Sequence, residues 1–185
     1  MPSESSEVHL LIVDDNSANL LAFKTTLEPL GHPILTAASG VDALKLARTH
    51  EFAAIVLDVR MPIMDGFETA GLFRQMSGTA HTPIIFISAY DHSREHIGKG
   101  YLAGATEFLV SPVDPELLRF KVAAYVEIHQ GVRALKARTE ELTRIIEALR
   151  AEARLSVPAQ DALNERIDEL EASFRNLKED IHQQL

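Results

Sequence analysis

Apolar residues follow two rhythms along this chain. As far as about residue 111, short unbroken apolar runs alternate with stretches where apolar side chains return every three or four positions; beyond Pro115 only the second rhythm remains. The runs Val8–Val13, Ile34–Ala37, Phe52–Leu57, Pro83–Ile87 and Glu107–Val110 predict strands. Continuous rather than alternating apolarity, clearest in Phe52–Leu57, is how a strand buried on both faces of a parallel sheet reads. Between the runs, Asn16 or Ser17 can cap a helix whose apolar positions Leu20, Leu21, Phe23, Leu27 and Leu30 return at helical spacing, and Gly31 can end it in a left-handed conformation. Ser39 caps a second helix, with Val41, Leu44 and Ala47 on one face, running to about His50, and Gly66 opens a third from about Phe67 to Met76. A weaker helix is expected over Asp91–Leu102, where Gly98 and Gly100 each cost about 1 kcal/mol relative to Ala. Asp114-Pro115-Glu116 starts the last helix with an N-cap, a proline at the first helical position and an acid in the first turn. Strands alternating with helices of this length imply right-handed crossovers, hence an α/β fold with a parallel sheet.

After Pro115 the pattern sharpens into a seven-residue repeat. With Ile128 at d, the d sites are Ile128, Leu135, Leu142, Leu149, Ser156, Leu163, Leu170 and Leu177; the a sites include Tyr125, Val132, Ile146, Ala153, Ile167, Phe174 and Ile181. A repeat this long predicts a coiled coil and a homodimer built on it. Glu140, Arg144, Glu147 and Arg150 are expected as pairs along one helix surface. Pro158 interrupts the repeat between the weak core positions Ser156 and Gln160, leaving a helical hairpin or a kinked parallel coil. The unchanged heptad phase on either side, with Pro158 at an outward f position, favours the kinked coil. The expected division is a disordered lead at 1–6, a domain at 7–128 and a coiled-coil extension at 129–185 with a break near Pro158.

Composition narrows the function classes. The 185 residues are 46% apolar, enough for one packed domain plus an appendage, and carry a net charge of −9. That balance argues against a nucleic-acid surface and against anionic membranes. The absence of cysteine removes disulfides and thiolate chemistry and fits a cytoplasmic protein. Met1–Glu7 has neither the basic nor the apolar part of a signal peptide, and nowhere do 18 apolar residues run together.

The candidate chemistry is acidic. Asp58 closes the third apolar run, and Asp14-Asp15 closes the first, so the carboxylates gather at the carboxyl edge of the sheet, where open α/β folds bind ligands. Adjacent carboxylates repel unless a cation lies between them. Hard oxygen donors with open positions suit Mg²⁺, which keeps several waters and takes up a phosphoryl oxygen. The plain alternative for Asp14-Asp15 alone is a solvated turn with helix-capping acids.

Four segments together resemble the receiver domain of two-component response regulators: Leu11-Ile-Val-Asp-Asp-Asn16, Leu57-Asp-Val-Arg-Met-Pro-Ile-Met-Asp-Gly66, Ile85-Phe-Ile-Ser-Ala89 and Gly104-Ala-Thr-Glu-Phe-Leu-Val-Ser-Pro112. The resemblance spans roughly residues 7 to 128 and implies a five-stranded, doubly wound, flavodoxin-like sheet. It further implies that Asp58 accepts a phosphoryl group from a histidine kinase or phosphotransfer protein. Asp15 and Asp58 would hold Mg²⁺ directly, Asp14 would assist through water, and the backbone carbonyl of Arg60 would complete the set. Ser88 and Phe108 would be the switch pair, and residues 91–102 the region remodelled on phosphorylation. Such a domain is a phosphoacceptor rather than an enzyme, with at most autodephosphorylation.

One position departs from the family. Where the strand-five loop normally carries Lys before Pro, this chain has Ser111 before Pro112, which removes a charge-assisted bond to a dianionic group. Ser111 keeps one neutral hydrogen bond, and the Arg60 guanidinium is a replacement cation, although a solvent-facing Arg is the commoner outcome. The departure keeps open an alternative in which a pseudo-receiver serves as a phosphorylation-independent dimerisation or adaptor module. No output module is recognisable in the tail; His182 reads as solvated surface, and the repeat ending in mid-heptad suggests a piece of a hybrid kinase or multidomain regulator.

Overall fold

The computed structural model describes residues 8–89, 104–153 and 160–183. The chain divides into two units after His129. The first contains β1 (His9–Val13), α1 (Ser17–Leu27), a 3-10 turn (Glu28–Leu30), β2 (Ile34–Ala37), α2 (Gly40–Leu46), β3 (Phe52–Asp58), α3 (Gly66–Gln75), β4 (Ile84–Ala89), β5 (Glu107–Ser111) and the start of α4 (Pro115–Ala153). The five strands form one sheet in the order β2-β1-β3-β4-β5, with every neighbouring pair parallel. After β2 the chain crosses back past β1 to place β3 on its other side, so the switch point of the topology lies between β1 and β3.

The caps act as their side chains dictate. Asn16 accepts from Ala18 N–H at 2.9 Å and the Ser39 hydroxyl accepts from Asp42 N–H, while Gly31, with φ +72°, ends the 3-10 turn that follows α1 rather than α1 itself, which stops at Leu27 before Glu28-Pro29. The helix expected to reach His50 ends at Leu46. There the amides of Arg48 and Thr49 bond the carbonyls of Lys45 and Leu46, three residues back, while the Thr49 hydroxyl donates to Leu46 O. Both β4 and β5 run past their expected ends, because Ser88 pairs with Val110 and Ala89 with Ser111. Pro83 falls just outside β4, where its carbonyl accepts from Ile55 N–H. The helix expected over Asp91–Leu102 lies outside the described residues.

Period-2 alternation divides the buried strands between two layers. Leu11, Val13, Ile55, Leu57 and Phe86 pack with Ala43, Ala70 and Phe73 of α2 and α3, while Leu10, Ile12, Val56, Ile85 and Ile87 pack with Leu27 of α1 and with Leu118, Val122 and Val126 of α4. A fastener that the apolar pattern did not reveal is Arg74. Its guanidinium donates to the carbonyls of Thr79 (3.0 Å), Ala80 (3.2 Å), Thr82 (2.7 Å) and Gly104 (2.6 Å), tying the end of α3 to the approaches of β4 and β5. Gly104 is required there: its φ is +90°, and a Cβ would lie 2.6 Å from Arg74 Nε.

In the second unit, α4 continues to Ala153 and α5 spans Gln160–Gln183. Arg150 reaches Asp168 at 3.1 Å and Glu171 at 2.7 Å. Had α5 prolonged α4, as in the kinked parallel coil favoured from the heptad phase, Asp168 would lie about 27 Å along the axis from Arg150 at 1.5 Å per residue. The second helix instead turns back against the first, and the hairpin replaces the kinked coil. Heptad phase survives a reversal as readily as a kink, so it could not discriminate. Arg150 pairs across the hairpin rather than with Glu147 on its own helix, contrary to the expectation from spacing. Ile146 and Ile167 are the buried apolar positions among the described residues of this unit.

Replacing Arg74 by Met strands several carbonyl oxygens at once, so Arg74→Met is expected to lower unfolding stability by about 3 kcal/mol in urea titration.

Candidate functional site

The carboxyl ends of β1 and β3, on either side of the switch point, carry the acidic residues singled out in the sequence. Asp14 follows β1 and is 1% exposed. Its Oδ1 accepts from Asn16 N–H at 2.8 Å and its Oδ2 from Asn19 Nδ2 at 3.0 Å. Burial pushes its carboxyl above the ordinary value, the two asparagine bonds oppose that rise, and neighbouring Asp15 adds to it. Asp15 is exposed. Asp58, the last residue of β3, is partly buried, and its Oδ2 accepts from Arg60 N–H at 2.9 Å. Its carboxyl is pushed up to about 6, first by burial and then by the charge of Asp14, with Asp15 contributing less and the Arg60 and Val59 amides opposing. Negative charge is therefore collected at this edge without compensation from a cationic side chain that any contact in the described residues records.

The loop after Asp58 is held by its own chemistry. Gly66 N–H donates to Val59 O at 2.9 Å, and a Cβ on Gly66 would sit 2.3 Å from Asp58 O, so only glycine lets the start of α3 close against the end of β3. Asp65 caps α3 in a reciprocal capping box with Glu68. Ile63 has φ +70° with its side chain fully exposed, a strained conformation for a β-branched residue.

The other expected site residues fall along β4 and β5. Ser88 lies one residue beyond Ile87, which is opposite Asp58 in the register, and is partly buried. Phe108 is partly buried with its ring 5.0 Å from Phe86 and 6.3 Å from Phe67. Ser111 ends β5 and precedes Pro112 through a cis peptide bond. The Arg60 side chain is exposed, and what it contributes to Asp58 in this structure is its backbone amide. Sequence reasoning took Asn16 only for a helix cap and missed Asn19 as the second partner of Asp14. An amide one helical turn past a buried acid is the signal that could have found it.

With that geometry in view, the comparisons are unambiguous. The family model for the response regulator receiver domain matches residues 10–123. Protein PilG of Pseudomonas aeruginosa is 32% identical over 136 residues, covering 73% of this chain and 99% of PilG. The chemotaxis protein CheY4 of Vibrio cholerae shares the fold with a TM-score of 0.59 and 35% identity, over 65% of this chain and 98% of that one. The receiver domain of sensor histidine kinase PA1611 from Pseudomonas aeruginosa, solved with a magnesium ion coordinated in its active site cleft, has a TM-score of 0.60 at 24% identity, over 65% of this chain and 98% of that one, a likeness of fold. The chain spans 32% of the length of another relative, the response regulator PleD of Caulobacter vibrioides. The protein belongs to the response regulator receiver family of two-component signalling, with its sheet and flanking helices arranged as in CheY-like receivers and a long helix following the domain.

Receiver domains bind Mg²⁺, and the donors here suit it. Among the described residues no three Asp, Glu, His or Cys side chains form a ready-made metal cluster. Mg²⁺ asks less: one or two carboxylates with several retained waters satisfy it. Asp14, with both oxygens already accepting from asparagines, fits an outer role, and the exposed Asp15 and partly buried Asp58 fit an inner one.

The sign of the Asp58 effect follows from its raised value. Below about pH 4 the carboxyl is protonated in folded and unfolded chains alike and costs nothing; between 4 and 6 only the unfolded chain ionises readily, and above 6 the full cost of charging it in the fold is present. Asp58→Asn is therefore expected to stabilise the metal-free protein by about 1–2 kcal/mol at pH 7.5, after allowance for solvent screening. Thermal unfolding at the two pH values checks this: the gain should vanish near pH 4.

Proposed function

We propose that the chain is a phosphorelay receiver that takes a phosphoryl group on Asp58 from a phosphohistidine of a histidine kinase or phosphotransfer protein. The observation that carries this reading is the collection of Asp14, Asp15 and Asp58 at the switch point, with the Asp58 carboxyl raised to about 6 by burial and by its acidic neighbours. At neutral pH such a carboxylate is largely ionised and more basic than an ordinary aspartate, which favours attack on phosphorus. Asp15, Asp58 and the Arg60 carbonyl would hold a Mg²⁺ ion, with Asp14 assisting through water, and the ion would supply the positive charge that an approaching anion needs at this edge. The Asp58 oxygen forms the new bond to phosphorus while the bond to the donor's imidazole nitrogen breaks, and the imidazole leaves with its electron pair.

Ser88 is the hydroxyl that turns toward the bound phosphoryl group, and Phe108 follows it further into the ring cluster with Phe86 and Phe67. That movement alters the surface formed by β5 and the start of α4. The helical extension passes the change on within a homodimer, as a cytoplasmic signalling linker of a hybrid kinase or multidomain regulator. The competing reading, a pseudo-receiver that assembles without phosphate, is favoured by Ser111 alone.

Incubation with Mg²⁺ and a small phosphodonor should add a phosphoryl group detectable by intact mass, and Asp58→Ala should abolish it. No labelling at any donor concentration would leave the pseudo-receiver reading. Ser111→Lys restores a charge-assisted bond and is expected to raise the labelling rate about tenfold; an unchanged rate would remove the significance attached to Ser111.

A further inference from the structure

The second unit leaves apolar surface uncovered in a regular way. Ile146 of α4 is 7% exposed and Ile167 of α5 is 2% exposed, yet Leu135 (36%), Ile145 (47%) and Leu149 (39%) on α4 and Leu170 (49%) on α5 face water. These exposed side chains are not scattered. At about 100° per residue, Leu149 and Ile145 lie about 60° and 100° to one side of Ile146, and Leu170 lies about 60° from Ile167 in the same rotational sense. On two helices running in opposite directions, equal senses of rotation bring both sets to the same face of the pair. Arg150 and Glu171 lie on the other side of the buried line, about 40° from Ile146 and Ile167, and their ion pair closes the opposite edge. The hairpin therefore has one closed, charged edge and one open, apolar face contributed by both helices.

We infer that this open face is covered by the same face of a second copy, so that two hairpins form a four-helix bundle. A two-helix layer cannot bury both of its apolar stripes alone and needs a second layer. A two-fold axis supplies a layer of matching shape. Charge selects the same occupant. Residues 130–153 carry five basic side chains (Arg133, Lys136, Arg138, Arg144, Arg150) and four acidic ones; residues 160–183 carry three basic and seven acidic (Asp161, Glu165, Asp168, Glu169, Glu171, Glu179, Asp180). With α4 of one copy beside α5 of the other, the basic helix faces the acidic one, as Arg150 already does within one chain. This assignment deepens the paired-helix part of the proposed function and is independent of the phosphoryl chemistry.

The test uses the full chain in sedimentation and light scattering. The wild-type chain is expected to be a dimer. Leu149→Lys with Leu170→Lys should raise the dissociation constant at least about 100-fold while leaving far-UV helicity unchanged, since both positions are exposed within the single chain. A second variant separates the bundle from a parallel coil: Arg150→Cys with Asp168→Cys, bridged within one chain by a short bis-maleimide in this cysteine-free sequence, locks the hairpin and should remain dimeric. A dimer that the bridge dissociates, or that the double lysine variant leaves intact, overturns the bundle while the paired-helix reading stands. A wild-type chain that is monomeric at all concentrations overturns both.

Discussion

Burial of carboxylates at neighbouring strand ends, where they also repel one another, is the constraint on which the rest of this receiver depends. Charge of one sign costs free energy when it is gathered at the rim of an apolar sheet, and the cost falls most heavily on Asp58, which burial and Asp14 together push to about 6. A fold tolerates such a cost where ligand binding relieves it. The sheet fixes the carboxylates in place: β3 is buried along its whole apolar length and stops at Asp58, and β1 stops beside it at Val13, just before Asp14. Around them the chain supplies neutral donors, from Asn16, Asn19 and the Arg60 amide, and no contact among the described residues brings a cationic side chain to the remaining negative charge.

The parts that hold this edge are less conspicuous than the acids. Gly66 lets α3 begin in contact with the backbone of Asp58 and Val59, so the loop closes tightly and aims the Arg60 amide at the carboxylate. Arg74 binds the approaches of β4 and β5 to the end of α3, which fixes the strands carrying Ser88, Phe108 and Ser111. Ile63 stores strain in the same loop with no described residue packed over its side chain. Rigidity is thus placed under the site, and exposed groups are placed at its rim.

Much of this was legible in the amino-acid order because burial on both faces of a parallel sheet leaves a distinctive trace. Phe52–Leu57 could be recognised as a central strand, and from it followed the position of Asp58. Gly31, Ser39 and Asp114-Pro115 carried their local geometry in their own chemistry. Contacts that join positions distant in sequence were not legible: the reach of Arg74 to Gly104 depends on tertiary placement, and Asn19 looked like any helix-surface amide. The tail failed for a different reason. Its heptads recorded that α4 and α5 each have an apolar stripe, but a stripe carries no information on whether the partner is the same chain returning or another chain. Arg150, meeting Asp168 and Glu171, resolves it in favour of the return.

The central claim is that Asp58 bears negative charge that no cationic side chain among the described residues compensates and that, on the proposed reading, a divalent cation relieves. The direct measurement is the titration of the Asp58 carboxyl carbon by NMR, with and without Mg²⁺. The account predicts a midpoint near 6 in the metal-free protein and a clear downward displacement when Mg²⁺ is added. A midpoint near the ordinary aspartate value of 3.8 that Mg²⁺ does not move would contradict it.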